Sequence, residues 1–315
     1  MPHELTPVGG REDDDRSRPG SPVSEDDGRA LEDAAAAVAG LDALDTPSAQ
    51  KVPWWRRALS VWLPPTVALV LFIVVWQIVW ASAITSEYKI PAPAAVWAQV
   101  TEVFTDGRVW SILWTSISRA FLGFFIALLI ATPLGLLVAK VKVVRSAIGP
   151  LLSGLQSLPS VAWVPAAVLW FGLTDATIYF VVLLGSIPSI ANGLVAGIDQ
   201  IPPILPRVGQ VLGARGLTSA RHILLPAALP GFIAGCKQGW AFSWRSLMAA
   251  EIIAAGPLLG FGLGAFLKEG SDFNDMPKVI AAIFLILVVG IGIELLIFRP
   301  IERRVLRARG LSLGR

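Results

Sequence analysis

Three charged residues interrupt an apolar run of the sequence between residues 228 and 255. They are Lys237, Arg245 and Glu251. A charge near the centre of a bilayer is costly, so such a residue usually faces a cavity or an opposite charge. Arg245 carries the most specific chemistry, because a guanidinium binds sulfonate or carboxylate oxygens through paired hydrogen bonds. The position of Arg245 therefore suits contact with an anion inside a membrane.

The spacing of the neighbouring residues supports a path for an anion. On a helical projection, a stripe about 80° wide contains five of them: Lys237, Trp240, Trp244, Met248 and Glu251. Arg245 lies at one edge of this stripe. We predict that Trp240, Trp244, Arg245 and Glu251 line a substrate pathway. The alternative is that Arg245 and Glu251 pair with other helices and only hold a bundle together.

A second segment with unusual backbone chemistry reads SLPSVAWVP, from Ser157 to Pro165. Prolines inside an apolar segment break the helix and free backbone groups, which in transporters can line a pathway. Trp163 is therefore added to the predicted substrate pathway. The alternative is that these prolines only kink a buried helix.

A polar segment between Leu205 and Pro230 reads LPRVGQVLGARGLTSARHILLPAALP. It lies between two long apolar runs. Apolar positions such as Val208, Val211 and Ile223 could form one face, with arginines on the other, and two short helices joined at residues 213–216 would fit. A basic loop that follows the positive-inside rule is the simpler interpretation.

Enzymatic signatures are absent from the sequence. Gly-Lys-Ser/Thr, His-Glu-x-x-His and Gly-x-Ser-x-Gly occur nowhere, and the chain has one cysteine and two histidines. We therefore expect no ATP bound through a phosphate-binding loop, no disulfide and no histidine-based metal site. The prediction is a protein that is not an enzyme.

The elements that must position these residues are membrane-spanning helices. Hydrophobic residues make up 54% of the chain, and a span needs about 20 apolar residues. Six segments qualify and predict an all-α polytopic membrane protein: Leu63–Ala83, Ile117–Ala139, Ile148–Leu173, Ala176–Ile198, Ala228–Ala255 and Val279–Phe298. Between the first two, Val96, Val100 and Val103 have helical spacing before Asp106-Gly107, which predicts a short helix at the outer interface.

Charge predicts the orientation of these spans. With the N-terminus inside, fifteen Lys and Arg residues fall on the cytoplasmic side and four on the outside, as the positive-inside rule requires. Both termini and the loop at 199–224 are then cytoplasmic. Residues 1–50 carry twelve acidic residues and four arginines, and this composition predicts a disordered acidic cytoplasmic tail. Residues 51–315 form the predicted transmembrane domain.

From about residue 90 to residue 298 the sequence resembles a known family. Gly213, followed by nine residues and Ile-x-Leu-Pro at 223–226, resembles the coupling-loop signature of ABC importer permeases. The segments SRAFLGFFIALLIATPLGLLVA, LQSLPSVAWVPAAVLWFG, RHILLPAALPGFIAGCKQGWAFSWRSLMAAEII and GFGLG resemble the aliphatic sulfonate, nitrate and taurine import permeases. The best candidate substrate is an aliphatic sulfonate, with nitrate, taurine or another small organic solute as alternatives.

The resemblance implies a set of roles and partners. Six helices would form half of a homodimeric pore in the bacterial plasma membrane. An extracytoplasmic binding protein would deliver the solute, and a separate ABC ATPase would use ATP-Mg, so this chain binds no cofactor itself. Membrane lipid surrounds the protein and no nucleic-acid partner is expected. The residues implied in ATPase coupling are Arg207, Gly213, Ala214, Arg215, Ile223, Leu225 and Pro226.

One position departs from the family pattern. Where the signature has Glu-Ala-Ala, this chain has Arg207-Val208-Gly209. Arginine in place of glutamate implies that the charge at the ATPase contact is altered or supplied elsewhere.

Two other classes stay open on the sequence alone. A secondary transporter would need inverted repeats and ion-coupling carboxylates, whereas the spans contain only Glu251 and Glu294 as carboxylates and show no repeat. A purely structural membrane protein would leave Arg245 and the polar loop unexplained.

Overall fold

The structure, a computed structural model, describes residues 54–82, 89–254, 256 and 259–308. The predicted acidic tail at residues 1–50 lies outside the described residues. Within them the chain is helical and has no β-strand. The predicted all-α class is therefore confirmed.

The described residues form twelve α-helices, which we number in chain order: α1 (Trp54–Ala81), α2 (Pro93–Thr105), α3 (Arg108–Lys140), α4 (Lys142–Ser157), α5 (Val164–Phe171), α6 (Asp175–Asp199), α7 (Ile204–Val211), α8 (Gly216–Ser219), α9 (Leu225–Ile253), α10 (Leu263–Asp272), α11 (Met276–Ile293) and α12 (Arg299–Ala308). A 3-10 turn, Ser160–Trp163, precedes α5. Two π-helical segments, Ala220–Leu224 and Glu294–Phe298, lead without a break into α9 and α12.

Four helices are long and apolar enough to cross a membrane: α1 from Leu63, α3, α6 and the continuous α11–α12 helix. Helix α9 has 29 residues, enough for about 44 Å at 1.5 Å per residue. Its charged residues, prolines and glycines make α9 less apolar than the other long helices. It occupies the place of the fifth predicted span, and the count of six remains a prediction.

The third predicted span, Ile148–Leu173, is not a single straight helix. Helix α4 and the Ser160–Phe171 segment meet at an angle of 97°. The bend lies at Leu158-Pro159, where both residues have extended backbone. Pro150 lies within α4, and Pro165 lies in the first turn of α5, where its missing N–H removes no hydrogen bond. Only one of the three prolines thus breaks the helix.

Helices α6 and α9 form the centre of the bundle through close backbone contact. A β-carbon on Gly193 would overlap Gly235, and one on Gly231 would meet Gly197. These glycines are spaced by four residues on each helix, so the two backbones approach where any larger side chain would separate them. Helix α3 packs on the other side of α6, where Gly123 faces Val182.

The described residues divide into two compact units between Val70 and Leu71, so α1 begins in the first unit and ends in the second. In the second unit, the Trp76 indole N–H donates to the Pro91 carbonyl at 3.1 Å. Trp76 also packs against Val96, Val100 and Ala281. Helix α2 is the short helix predicted from valine spacing, and it ends before Gly107, whose φ is +70°.

Candidate functional site

The polar loop between α6 and α9 folds as two short helices. Helix α7 ends at Val211, and α8 begins at Gly216 after a turn in which Gly213 has φ +83° and Gly216 has φ +55°. Both values favour glycine, which has no β-carbon to clash in this region. The Ala214 N–H closes the turn by donating to the Gly209 carbonyl at 2.8 Å. The predicted pair of helices joined at residues 213–216 is confirmed.

The apolar residues of this loop divide between two directions. Ile223 packs inward over Gly209, where an added β-carbon would overlap the isoleucine δ-carbon. Val211 and Leu212 point outward and are 86% and 80% exposed. Arg207 and Arg215 are exposed as well. The single apolar face expected from the sequence is therefore two faces, one buried under α7 and one open.

The loop is attached to the rest of the bundle by polar contacts. The Lys140 ammonium at the end of α3 donates to the Gly216 carbonyl at 3.0 Å. At the end of α6, the Asp199 carboxylate forms a two-point ion pair with Arg145 of α4, with Nη1 and Oδ1 2.9 Å apart. Leu225 and Pro226 open α9 and, with Leu128 of α3, line a groove of about 640 Å³. The loop is therefore bonded directly to α3 and is continuous with α6 and α9, and α4 is paired with the end of α6.

Trp240 and Trp244 lie in an aromatic cluster and not on an open channel. Their rings stack with centroids 6.4 Å apart. Trp240 also meets Phe124 edge-on at 5.5 Å and Phe298 at 5.8 Å. Both tryptophans are more than nine-tenths buried, and their outer edges border a groove of about 530 Å³ between α9 and α11.

Arg245 is exposed on the same side of α9 and lines that groove together with Trp240 and Trp244. Its Nε donates to the Ala241 carbonyl at 3.0 Å, and its guanidinium lies 4.6 Å from the centre of the Phe242 ring. No ion pair neutralises it among the described residues. The side chain is held at its inner nitrogen, which leaves the two terminal nitrogens facing outward.

Glu251 lies in a buried polar cluster and is not brought together with Arg245. Its carboxylate is 3.2 Å from Arg119 of α3 and accepts the Ser116 hydroxyl at 2.8 and 3.0 Å. It also accepts the Gly264 N–H at 2.9 Å. Gly264 lies in the first turn of α10, where a helix favours a negative charge. Glu251 thus joins α9 to α3 and α10.

Arg119 is a central residue that reasoning from the sequence missed. Its second terminal nitrogen is 2.7 Å from the Asp175 carboxylate at the start of α6. The signal was present, because Arg119 lies inside the predicted span Ile117–Ala139 and therefore needs a carboxylate partner. The cluster also explains GFGLG, since a β-carbon on Gly262 would lie 2.6 Å from the Glu251 carboxylate and the Ser116 hydroxyl.

Lys237 pairs with acids at the other end of the bundle. Its ammonium is 2.7 Å from Glu294 and 3.4 Å from Glu302 of α12. Glu294 begins the π-helical segment that leads into α12, so these contacts join α9 to the continuous α11–α12 helix.

Trp163 lies on the 3-10 turn that follows the bend of the third span, and it is half-buried. The turn contacts α9 directly, because the hydroxyls of Ser160 and Ser246 are 2.6 Å apart. Ser246 is the residue after Arg245. The turn that follows the bend therefore contacts α9 at the residue next to Arg245, on a different face of the helix.

Comparison with known proteins agrees with this architecture. The family described as "Binding-protein-dependent transport system inner membrane component" matches residues 131–307, more than half of the chain. The taurine transport system permease protein TauC of Escherichia coli K12 is 28% identical over 80% of this chain and 92% of its own length.

Two further relatives have comparable similarity. SsuC of Bacillus subtilis 168, a permease protein named for aliphatic sulfonates transport, is 26% identical over 87% of this chain and 97% of its own length. The bicarbonate transport system permease protein CmpB of Synechococcus elongatus is 27% identical over 76% of this chain and 88% of its own length. The chain belongs to the family of binding-protein-dependent transport system inner membrane components, and it is an ABC transporter permease.

Proposed function

We propose that this permease is the membrane subunit of an ATP-driven importer for a small oxyanion, with an aliphatic sulfonate as the first candidate. The observation that carries the proposal is the similarity to TauC and SsuC over most of their lengths. Taurine is itself an aliphatic sulfonate. Bicarbonate, named for CmpB, shares the negatively charged oxygens and is the alternative, together with nitrate.

The direction of transport follows from the proposed orientation. Fifteen basic residues on one side against four on the other favour cytoplasmic termini. The α7–α8 loop is then cytoplasmic, and an extracytoplasmic binding protein would deliver the solute from the opposite side. Import is the direction that such delivery requires.

The open apolar face of α7 is the proposed contact for the ATPase. Val211 and Leu212 are exposed at the tip of a loop that is bonded to α3 and continuous with α6 and α9. Burying them in a groove of the ATPase would stabilise the contact, and Arg207 and Arg215 could pair with acids at its edge. The ATPase would use ATP-Mg, and its closure would move α7 and therefore α9.

Arg245 is the residue that we propose meets the solute. It borders the groove between α9 and α11, and its terminal nitrogens can form two parallel hydrogen bonds to a sulfonate. Trp240 and Trp244 would give the groove rigid walls. Trp163 lies on the 3-10 turn that contacts α9 through Ser160, and it would shape the path from the side of the broken span. Glu251 holds α3, α9 and α10 together, and we place it outside the path.

A second copy of the chain completes the proposed pore. One chain supplies one coupling loop, whereas two ATPase sites need two loops, so a homodimer is the simplest assembly. The groove that contains Arg245 opens on the outside of the single chain. Two such grooves facing each other would enclose the solute between two guanidinium groups.

Uptake in cells tests this function. The chain would be expressed with its cognate ATPase and binding protein, in a host that lacks taurine uptake. We expect ATP-dependent accumulation of radiolabelled taurine, with competition by methanesulfonate at concentrations at least tenfold below those of nitrate or bicarbonate. Competition by bicarbonate or nitrate alone would overturn the sulfonate assignment, and ATP-dependent export would overturn the direction.

A further inference from the structure

Helix α12 presents a cluster of four exposed arginines. Their spacing places them within about 140° of one another on a helical projection. With Leu295 and Pro300 they line a cavity of about 240 Å³: Arg299, Arg303, Arg304 and Arg307. The ATPase contact and the solute path described above use none of these residues.

The cluster lacks a compensating acid among the described residues. Glu294 and Glu302 are the nearest acids in the sequence, and both pair with Lys237 at 2.7 and 3.4 Å. No ion pair reaches the four guanidinium groups within residues 259–308. Like charges one helical turn apart repel each other. An anion from outside the chain would therefore stabilise this arrangement.

The position of the cluster along its helix indicates which anion this is. The continuous α11–α12 helix is apolar from Val279 to Phe298 apart from Glu294, and the arginines begin at the next residue. Leu296, near the end of this run, is 78% exposed. From Arg299 to Arg307 the helix rises about 12 Å, whereas a headgroup layer is about 5–8 Å thick. If the apolar part spans the hydrocarbon core, the first arginines lie at the level of the lipid phosphates.

We propose that the arginine cluster of α12 binds the phosphate of an anionic phospholipid, whose acyl chains lie along Leu295 and Leu296. A lipid is favoured over a soluble anion because the cavity is basic on its walls and apolar at its membrane side. An acidic protein surface would match the charge but would leave this apolar side uncovered. The site does not depend on the identity of the transported solute.

The cluster is linked to the proposed solute path. Glu302 lies on α12 between the arginines and contacts Lys237 of α9. Lys237 precedes Arg245 by eight residues, about 12 Å along the same helix. A lipid that fixes α12 would therefore also hold the inner half of α9. Transport should require anionic lipid in addition to a bilayer.

Native mass spectrometry of the purified full-length chain tests the site. The protein would be released from nanodiscs of phosphatidylethanolamine with a minority of phosphatidylglycerol, and retained lipid would be counted. We expect retention of phosphatidylglycerol to fall about fivefold for each arginine replaced. The variants are Arg303→Gln, Arg307→Gln and the double glutamine variant that combines them. The double lysine variant, Arg303→Lys with Arg307→Lys, should retain an intermediate amount because it keeps the charge and loses the planar fork.

Lys142→Gln is the matched control, since it removes one exposed positive charge at the start of α4 and should retain lipid as the parent does. Equal retention by the double glutamine variant and the parent would overturn the proposal. Displacement of the lipid by soluble glycerol phosphate at equal concentration would assign the site to a free phosphate compound. If the same variants, co-expressed with the ATPase, kept their lipid but no longer co-purified with the ATPase, the cluster would be assigned to a protein contact. Either of these last two results would overturn the proposal that a lipid occupies the cluster.

Discussion

At the scale of single residues, the charges inside the bundle have two different surroundings. Glu251 is 2% exposed and contacts Arg119, Ser116 and the start of α10. Arg245 is exposed and has no acidic partner among the described residues. A buried charge needs its partner, whereas an exposed and unpaired charge is free to meet a ligand. Glu251 therefore has the interhelical partners that the structural alternative requires, whereas the role of either residue in the solute path stays a prediction.

The Arg119–Glu251 pair should be required for folding. Replacing Glu251 with Ala leaves the buried Arg119 guanidinium with Asp175 as its remaining acidic partner, and we expect a loss of about 3 kcal/mol or more. Glu251→Gln should cost less, because the amide oxygen still accepts from Ser116 or Gly264. The measurement is the unfolding of the purified chain in detergent.

An exposed ion pair on α10 provides the control for this prediction. Lys268 pairs with Asp272, and both side chains are substantially exposed, so Lys268→Ala should change stability by less than about 1 kcal/mol. Equal stability of Glu251→Ala and Lys268→Ala would show that the buried cluster contributes nothing.

Arg245 should be required for uptake and dispensable for assembly. Arg245→Leu removes the charge and the paired donors, and we expect uptake to fall at least a hundredfold while the ATPase still co-purifies. Arg245→Lys should keep a small part of the activity, because an ammonium is a point charge without the planar fork. Normal uptake by Arg245→Leu would exclude this residue from the solute path. Failure of the complex to assemble would show instead that Arg245 is structural.

At the scale of elements, the α7–α8 loop is fitted to α9 through a single close contact. Gly209 lies in α7 under Ile223, and Ile223 lies in the π-helical segment that continues into α9. An added β-carbon at residue 209 would force the Ile223 δ-carbon to move, and a branched side chain there would press against the seat of α7.

Gly209→Val should therefore uncouple the loop. We expect co-purification of the ATPase to fall at least fivefold, with insertion into the membrane unchanged, because the apolar tip of α7 is displaced. Gly154→Val is the matched control, since Gly154 is also helical and an added β-carbon there meets no atom within 4 Å. Normal ATPase binding by Gly209→Val would show that the seating of α7 on Ile223 is not needed.

At the scale of the whole molecule, the chain leaves much apolar surface uncovered. Within the described part of the chain, α1 forms a span from Leu63 to Ala81 in which no residue is buried. Leu129 of α3 and Leu169 of α5 are 74% and 86% exposed. Lipid can cover such surface, and so can a second copy of the chain.

We expect the assembled transporter to contain two copies of this chain. Mass measurement of the complex with its ATPase in detergent should give two permease chains to two ATPase chains. An Arg245→Cys variant should also cross-link to itself if the two grooves face each other, whereas Trp97→Cys on the exposed face of α2 should not. A complex with one permease copy and no second permease protein would contradict the homodimer.

The sequence by itself determined the class of the protein. Apolar runs of about twenty residues predict spans because backbone groups in lipid must be satisfied within the segment. The Gly213 to Pro226 spacing indicated the family because it resembles the coupling-loop signature. The loop helices and α2 were predicted from the helical spacing of apolar residues and from the turn residues beside them.

Only the tertiary structure decided the pairing of the charges and the path of the third span. Glu251 finds Arg119 132 residues away, and Lys237 finds Glu294 through a π-helical turn. Helical projection places side chains on a face but does not say which helix that face meets. The 97° bend at Pro159, with Pro150 and Pro165 accommodated in helices, likewise depends on packing. Local sequence limits what a proline or a charge can do, and the neighbouring helices select which of those outcomes occurs.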